Sequence, residues 1–173
     1  MSNGLSENIF NYLQRLLPLL SSLLLLLLSY VPLDFLLFNN IRPAVGIICV
    51  YFWMIHRPDL FNLLSVYFLG MIDDIISNVP CGTNIFILLV LYVILSNILR
   101  FLNAKPFIVT WYGFALVASV IFFTKWLTLS IYYGQFLPFF IVCFSYLVTV
   151  ATYPFVSLIL AFVQNNLIAD EEL

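Results

Sequence analysis

Charge is what this chain has least of. Six Lys/Arg and eight Asp/Glu stand among 173 residues, 8% in all, where soluble domains carry about 25%. Hydrophobic residues make up 64%, and the mean hydropathy is +1.13. A soluble domain of this size cannot hide so much apolar surface, so the composition predicts an integral membrane protein. The period-2 alternation of an outer-membrane barrel is missing, and helices are the other way to span lipid with every backbone group paired. Net charge is -2 with no Lys/Arg run, which excludes a nucleic-acid partner and a polybasic lipid anchor. Cys49, Cys81 and Cys143 are far apart with no CxxC, so neither a disulfide framework nor a metal site is expected. A nucleophile–base arrangement, a metal cluster and a phosphate loop are all lacking, so no enzyme and no cofactor is expected. No small-x-small cleavage site follows the leucine-rich run (it continues Ser29-Tyr30-Val31-Pro32-Leu33), and this run is expected to be an uncleaved first span. Internal repeats and loops long enough to fold alone are also absent. The protein therefore acts within the bilayer or through short loops and tails.

What is present is a series of six apolar segments separated by polar or Pro/Gly breaks. A span needs about 20 apolar residues, fewer where neighbours shield it. The breaks predict one membrane domain over 1–173, with helices at about 16–33, 43–55, 60–77, 83–102, 107–124 and 136–163. An acidic tail follows over 164–173. The fold class is all-α, a polytopic membrane protein of six transmembrane helices. The second helix is short, which implies shielding by neighbours or a partly re-entrant path. Pro43 suits a helix N-terminus, and Pro58 and Gly82 mark breaker turns. Six spans put both termini on one side. An N-terminus inside gives the inner face Arg15, Arg57, Arg100 and Lys105, and the outer face Arg42 and Lys125. The positive-inside rule then places both termini in the cytoplasm. Tyr51, Trp53, Trp111, Tyr112, Trp126, Tyr132 and Tyr133 are expected in interfacial belts.

The third segment carries adjacent acids, Asp73 and Asp74. A carboxylate at helix-centre depth costs about 2.5–3.5 kcal/mol on insertion scales, so each has to face protein, water or a partner. Gly70, Asp74 and Asn78 are spaced by four, and Ser77 follows Asp74 by three. They form one small-and-polar stripe on which another backbone can approach Gly70. Asp73 points about 100° away. Asp74 either caps or pairs inside the bundle, with Arg42 or a backbone amide, or organises a pocket or partner contact. Its replacement by Asn is expected to be milder than by Ala, because an amide keeps much of the hydrogen bonding. A proton relay needs several intramembrane ionisable groups, and this pair stands alone. His56, without a second ligand, reads as a loop residue. Tyr146, Thr149, Tyr153, Pro154 and Ser157 give the last helix a polar face with a Pro kink, whose freed backbone groups Ser and Thr can satisfy.

The order Arg42-Pro43, Tyr51/Trp53, Pro58, Gly70-x-x-x-Asp74, Gly82 and Pro154 resembles the bacterial rod-shape-determining MreD family, over roughly residues 16–165. The sequence departs from the family at Asn78, commonly Gly there, and in the extra acid Asp73. The resemblance implies a six-helix inner-membrane subunit of the cell-wall elongation machinery, acting as a scaffold that binds MreC. The actin-like MreB, the peptidoglycan polymerase and the transpeptidase are then direct or indirect partners. Such a fold is also similar to the S-components of energy-coupling-factor vitamin transporters, which implies small-molecule binding as the alternative. Those proteins dock their transporter through an Ala-x-x-x-Ala face on the first helix, and residues 16–33 contain no alanine.

Overall fold

The apolar segments form six helices in the computed structural model, which describes residues 3–30, 42–77, 79–102 and 106–167. They are α1 (Asn3–Tyr30), α2 (Val45–His56), α3 (Leu63–Ser77), α4 (Thr83–Leu102), α5 (Phe107–Tyr133) and α6 (Phe139–Leu167). Among the described residues there is no strand.

Helix α2 is the axis of the bundle. Its sequence is apolar on every side, and a helix of that kind is a buried one. Each residue from Val45 to Ile55 is buried, with α1, α3, α4 and α6 packed around it. Twelve residues span only about 18 Å, and it is the neighbours that shield so short an element. Tyr51 reaches α5, donating to the Thr110 carbonyl at 2.8 Å. Its ring meets Phe114 and Tyr153 edge-on, with centroids 5.1 and 5.8 Å away. Tyr51 and Trp53 are therefore core residues at 0% exposure, not the interfacial anchors expected of them. Tyr112, Tyr132 and Tyr133 do point outward.

Helices α5 and α6 are different in kind. Both, Phe107–Tyr133 and Phe139–Asn166, are long and apolar enough to cross a membrane, with a mean hydropathy of 2.0 over an 18-residue stretch of each. Only 33% and 28% of their most apolar windows is buried, so they turn their apolar surface outward rather than into a core. Among the residues whose side chains are described, the other apolar helical stretches are shorter: Leu16–Tyr30, Val45–His56 and Thr83–Ile98.

Several boundaries move from the expected ones. Helix α1 starts at Asn3 rather than 16, because a polar helical extension precedes the leucine run; residues 31–33 lie outside the described residues. Helix α2 starts two residues after Pro43, with Thr149 Oγ1 of α6 accepting the Ala44 N–H at 3.1 Å. Helix α3 starts at Leu63 because Asn62 Oδ1 accepts the Ser65 N–H, a side-chain cap. Helix α5 continues through Lys125 to Tyr133, where Gly134 at φ 63 ends it in the left-handed conformation. Helix α6 runs over 139–167, so the expected tail is helical as far as Leu167 and its remainder lies outside the described residues.

Two prolines show how the chain handles a missing donor. Pro58 sits in the turn that closes when the Leu60 N–H reaches the Arg57 carbonyl at 3.2 Å, beside an exposed Arg57–Asp59 pair. Pro154, inside α6, leaves the Val150 carbonyl without its helical partner. The sequence pointed to Ser or Thr as the remedy, but the indole Nε1 of Trp111 on α5 donates to that carbonyl at 3.2 Å. Trp111→Phe should therefore leave the carbonyl unpaired, a loss of about 1–3 kcal/mol. Unfolding midpoints in detergent would read it. An unchanged midpoint would mean that the carbonyl finds another donor.

Candidate functional site

The two acids, adjacent in sequence, serve different surroundings. Asp74 is 4% exposed and caps α4 from across the α3–α4 turn. Its Oδ2 accepts the Gly82 N–H at 2.7 Å and the Ile85 N–H at 3.4 Å, while Oδ1 accepts the Asn84 N–H at 2.8 Å. These amides lie at the start of α4, where a helix lacks internal acceptors and its dipole favours negative charge. Of the partners weighed for Asp74, the structure uses backbone amides and not Arg42. Gly82 makes the geometry possible. The Pro80 carbonyl accepts the Thr83 N–H at 3.1 Å, and Gly82 occupies the third turn position at φ 97, a conformation that favours glycine. One helical turn before Asp74, a Cβ on Gly70 would lie 2.8 Å from Ile85 Cα, so the backbone of α4 fills that face.

The seam continues through side chains. Ser77 Oγ accepts from Asn84 Nδ2 at 3.0 Å, and Asn84 Oδ1 accepts from Lys125 Nζ at 3.0 Å. Asn78, the last member of the stripe, lies outside the described residues. The stripe of Gly70, Asp74 and Ser77 is thus an internal α3–α4 joint, not an outer helix face.

Asp73 lies around the helix from this joint. Tyr30 at the end of α1 donates its hydroxyl to Asp73 Oδ1 at 2.6 Å. The Arg42 guanidinium lies over the Tyr30 ring, 5.4 Å from its centroid. The direct Arg42–acid pair that the sequence suggested is not formed; among the described residues the ion pair is Arg57–Asp59. Tyr30 links the two charges instead. The segment carrying Arg42 and Pro43 is tied to α6, with Ser145 Oγ donating to the Arg42 carbonyl at 3.3 Å.

Asp73, Ser77, Tyr30, Arg42, Pro43 and Lys125 line a half-open cleft of about 460 Å³. It lies where α1 ends and α2 and α6 begin, with Phe122, Trp126, Leu137 and Ile141 as its apolar wall. Pro58 and Pro154 belong to neither the joint nor the cleft. Tyr30, Asn84 and Lys125 were not singled out from sequence as site residues. Lys125 looked like the end of a helix, yet apolar residues continue past it to Ile131. A cation inside an apolar stretch needs partners, and that was the available signal. Among the described residues no group of three His, Cys, Asp or Glu is placed to hold a metal.

No protein-family profile matches the chain, and no solved structure matches it. An uncharacterized protein of Rickettsia prowazekii (strain Madrid E) is 28% identical over 122 residues, which is 70% of this chain and 69% of that protein.

Proposed function

We propose that the protein is a non-enzymatic, multi-pass scaffold of the bacterial inner membrane, of the MreD kind, that holds MreC within the wall-elongation complex. MreB, the polymerase and the transpeptidase are then its direct or indirect partners, the lipid bilayer is its solvent, and nucleic acid is not a ligand. The supporting observation is the division of labour among the helices. Asp74, Ser77 and Asn84 join α3 to α4, and Lys125 of α5 bonds to Asn84, while α5 and α6 turn large apolar side chains outward. Leu116 and Ile131 are 68% and 71% exposed, and Phe155 and Phe162 are 70% and 69% exposed. Faces of that kind suit lipid and a partner's transmembrane helix. The Gly70/Asp74 stripe is occupied by α4, so the docking role passes to α5 and α6. In this reading all six helices belong to the membrane domain, the short ones covered by their neighbours. Lys125, lying inside the bundle, no longer counts as an outer-face charge. Arg42 alone then opposes Arg15, Arg57, Arg100 and Lys105, which favours cytoplasmic termini.

Depletion from a rod-shaped host should round the cells, and affinity-tagged protein should recover MreC from native membranes. Normal rods with no MreC recovered would sink the scaffold reading. The cleft favours one second reading, an S-component-like carrier. That reading expects a tightly held small molecule and loss of its uptake on depletion.

A further inference from the structure

The geometry points to the cleft beside Asp73 as a binding site for the phosphate group of an anionic amphiphile, with headgroup inside and hydrocarbon outside. This goes beyond the scaffold reading and requires only that the outer faces of α5 and α6 meet lipid.

Unused donors carry the argument. An ammonium has three N–H groups, and Lys125 gives one to Asn84 Oδ1 at 3.0 Å. The guanidinium of Arg42 has no hydrogen bond or ion pair among the described residues, and its position over the Tyr30 ring holds it at the cleft wall. Its planar fork matches a phosphate better than any neutral acceptor. Against these two cations the lining holds one carboxylate, Asp73, and one of its oxygens is already engaged by Tyr30. The lining thus offers more donors than acceptors and one more cation than carboxylate, while Asp74, behind the wall, also acts on Lys125.

The rest of the wall decides which anion fits. Trp126, Leu137 and Ile141 line the cleft, and Ile141 is 51% exposed, so the apolar wall runs on to the outer surface of α6. A free phosphate ion would leave that wall unused, whereas an amphiphile fills both halves. The volume of about 460 Å³ lies in the usual range for a small-molecule group.

The test uses the full chain, purified in a maltoside detergent and freed of phospholipid. Three probes are added separately: dioctanoylphosphatidylglycerol, dioctanoylglycerol (the same chains without phosphate) and inorganic phosphate. Binding is followed by native mass spectrometry and by the unfolding midpoint. The phosphatidylglycerol should bind saturably and raise the midpoint, dioctanoylglycerol should not, and inorganic phosphate should bind at least about tenfold more weakly. Arg42→Gln, at an exposed position outside the helices, should weaken the lipid about tenfold without disturbing the fold. Asp73→Asn keeps an acceptor for Tyr30 but removes the cleft's repelling charge, so it should tighten binding severalfold, a gain that misfolding cannot mimic. Equal binding of the phosphate-free lipid would overturn the phosphate assignment, and equal binding of inorganic phosphate would overturn the lipid assignment. Unchanged affinity in Arg42→Gln would overturn the site.

Discussion

Replacing Asp74 by Ala is expected to cost roughly 3–5 kcal/mol, the range for removing one partner from a buried charged network. The change strands three backbone N–H groups at the start of α4 and takes one negative charge from the neighbourhood of Lys125. Asp73→Ala, which frees one tyrosine hydroxyl, should cost clearly less. The structure also revises the expectation for Asp74→Asn. Both carboxylate oxygens accept backbone N–H groups, and an amide offers one oxygen and one NH₂. The NH₂ would face a donor, so Asn should lose most of what Ala loses. Unfolding by SDS in mixed micelles would rank the three variants. A loss below about 1 kcal/mol for Asp74→Ala would mean that water replaces the carboxylate at the α4 terminus.

Gly70→Ala is expected to have the next largest effect, at or above the top of the roughly 1–3 kcal/mol typical of overpacking. The added methyl would meet the Cα of Ile85 at 2.8 Å, and backbone cannot rotate away as a side-chain end can. To make room, α4 must move from α3, which stretches the Asp74 bonds one turn further on. The double variant Gly70→Ala/Asp74→Ala should therefore lose less than the sum of the singles, by about 0.5–3 kcal/mol of coupling. Gly46→Ala is the matched control. There the nearest atom to an added Cβ is Leu26 Cδ1 at 3.5 Å, an ordinary contact, so a methyl in this first turn of α2 should cost little or nothing. A Gly70→Ala protein as stable as the parent would show that the α3–α4 contact is looser than these distances.

Much of the helical frame is legible in the sequence. The breakers Pro80, Gly82 and Pro106 fall between helices because proline and glycine act locally, whatever surrounds them. The spacing of Gly70 and Asp74 likewise determined that they share a helix face and that the acid needs a partner. The ends of helices were less legible. Lys125 looked like a terminator because a lone charge in an apolar run is expensive by itself. That cost falls once acids and Asn84 from other helices surround it, and sequence spacing cannot reveal those distances.

By itself, the sequence determined that the protein is all-helical, that α2 is apolar on every side, and that two acids must be accommodated somewhere. Composition and periodicity are properties of the chain alone, so no neighbour is needed to read them. The tertiary structure alone decided the rest. It sent Asp74 to the amides of α4 and Asp73 to Tyr30 and the cleft, assigned Trp111 to the carbonyl freed by Pro154, and buried Tyr51 and Trp53. Each of those outcomes depends on which helix packs against which. A hydrogen bond acts over about 3 Å, and only the fold brings residues 43 or 105 positions apart within that reach.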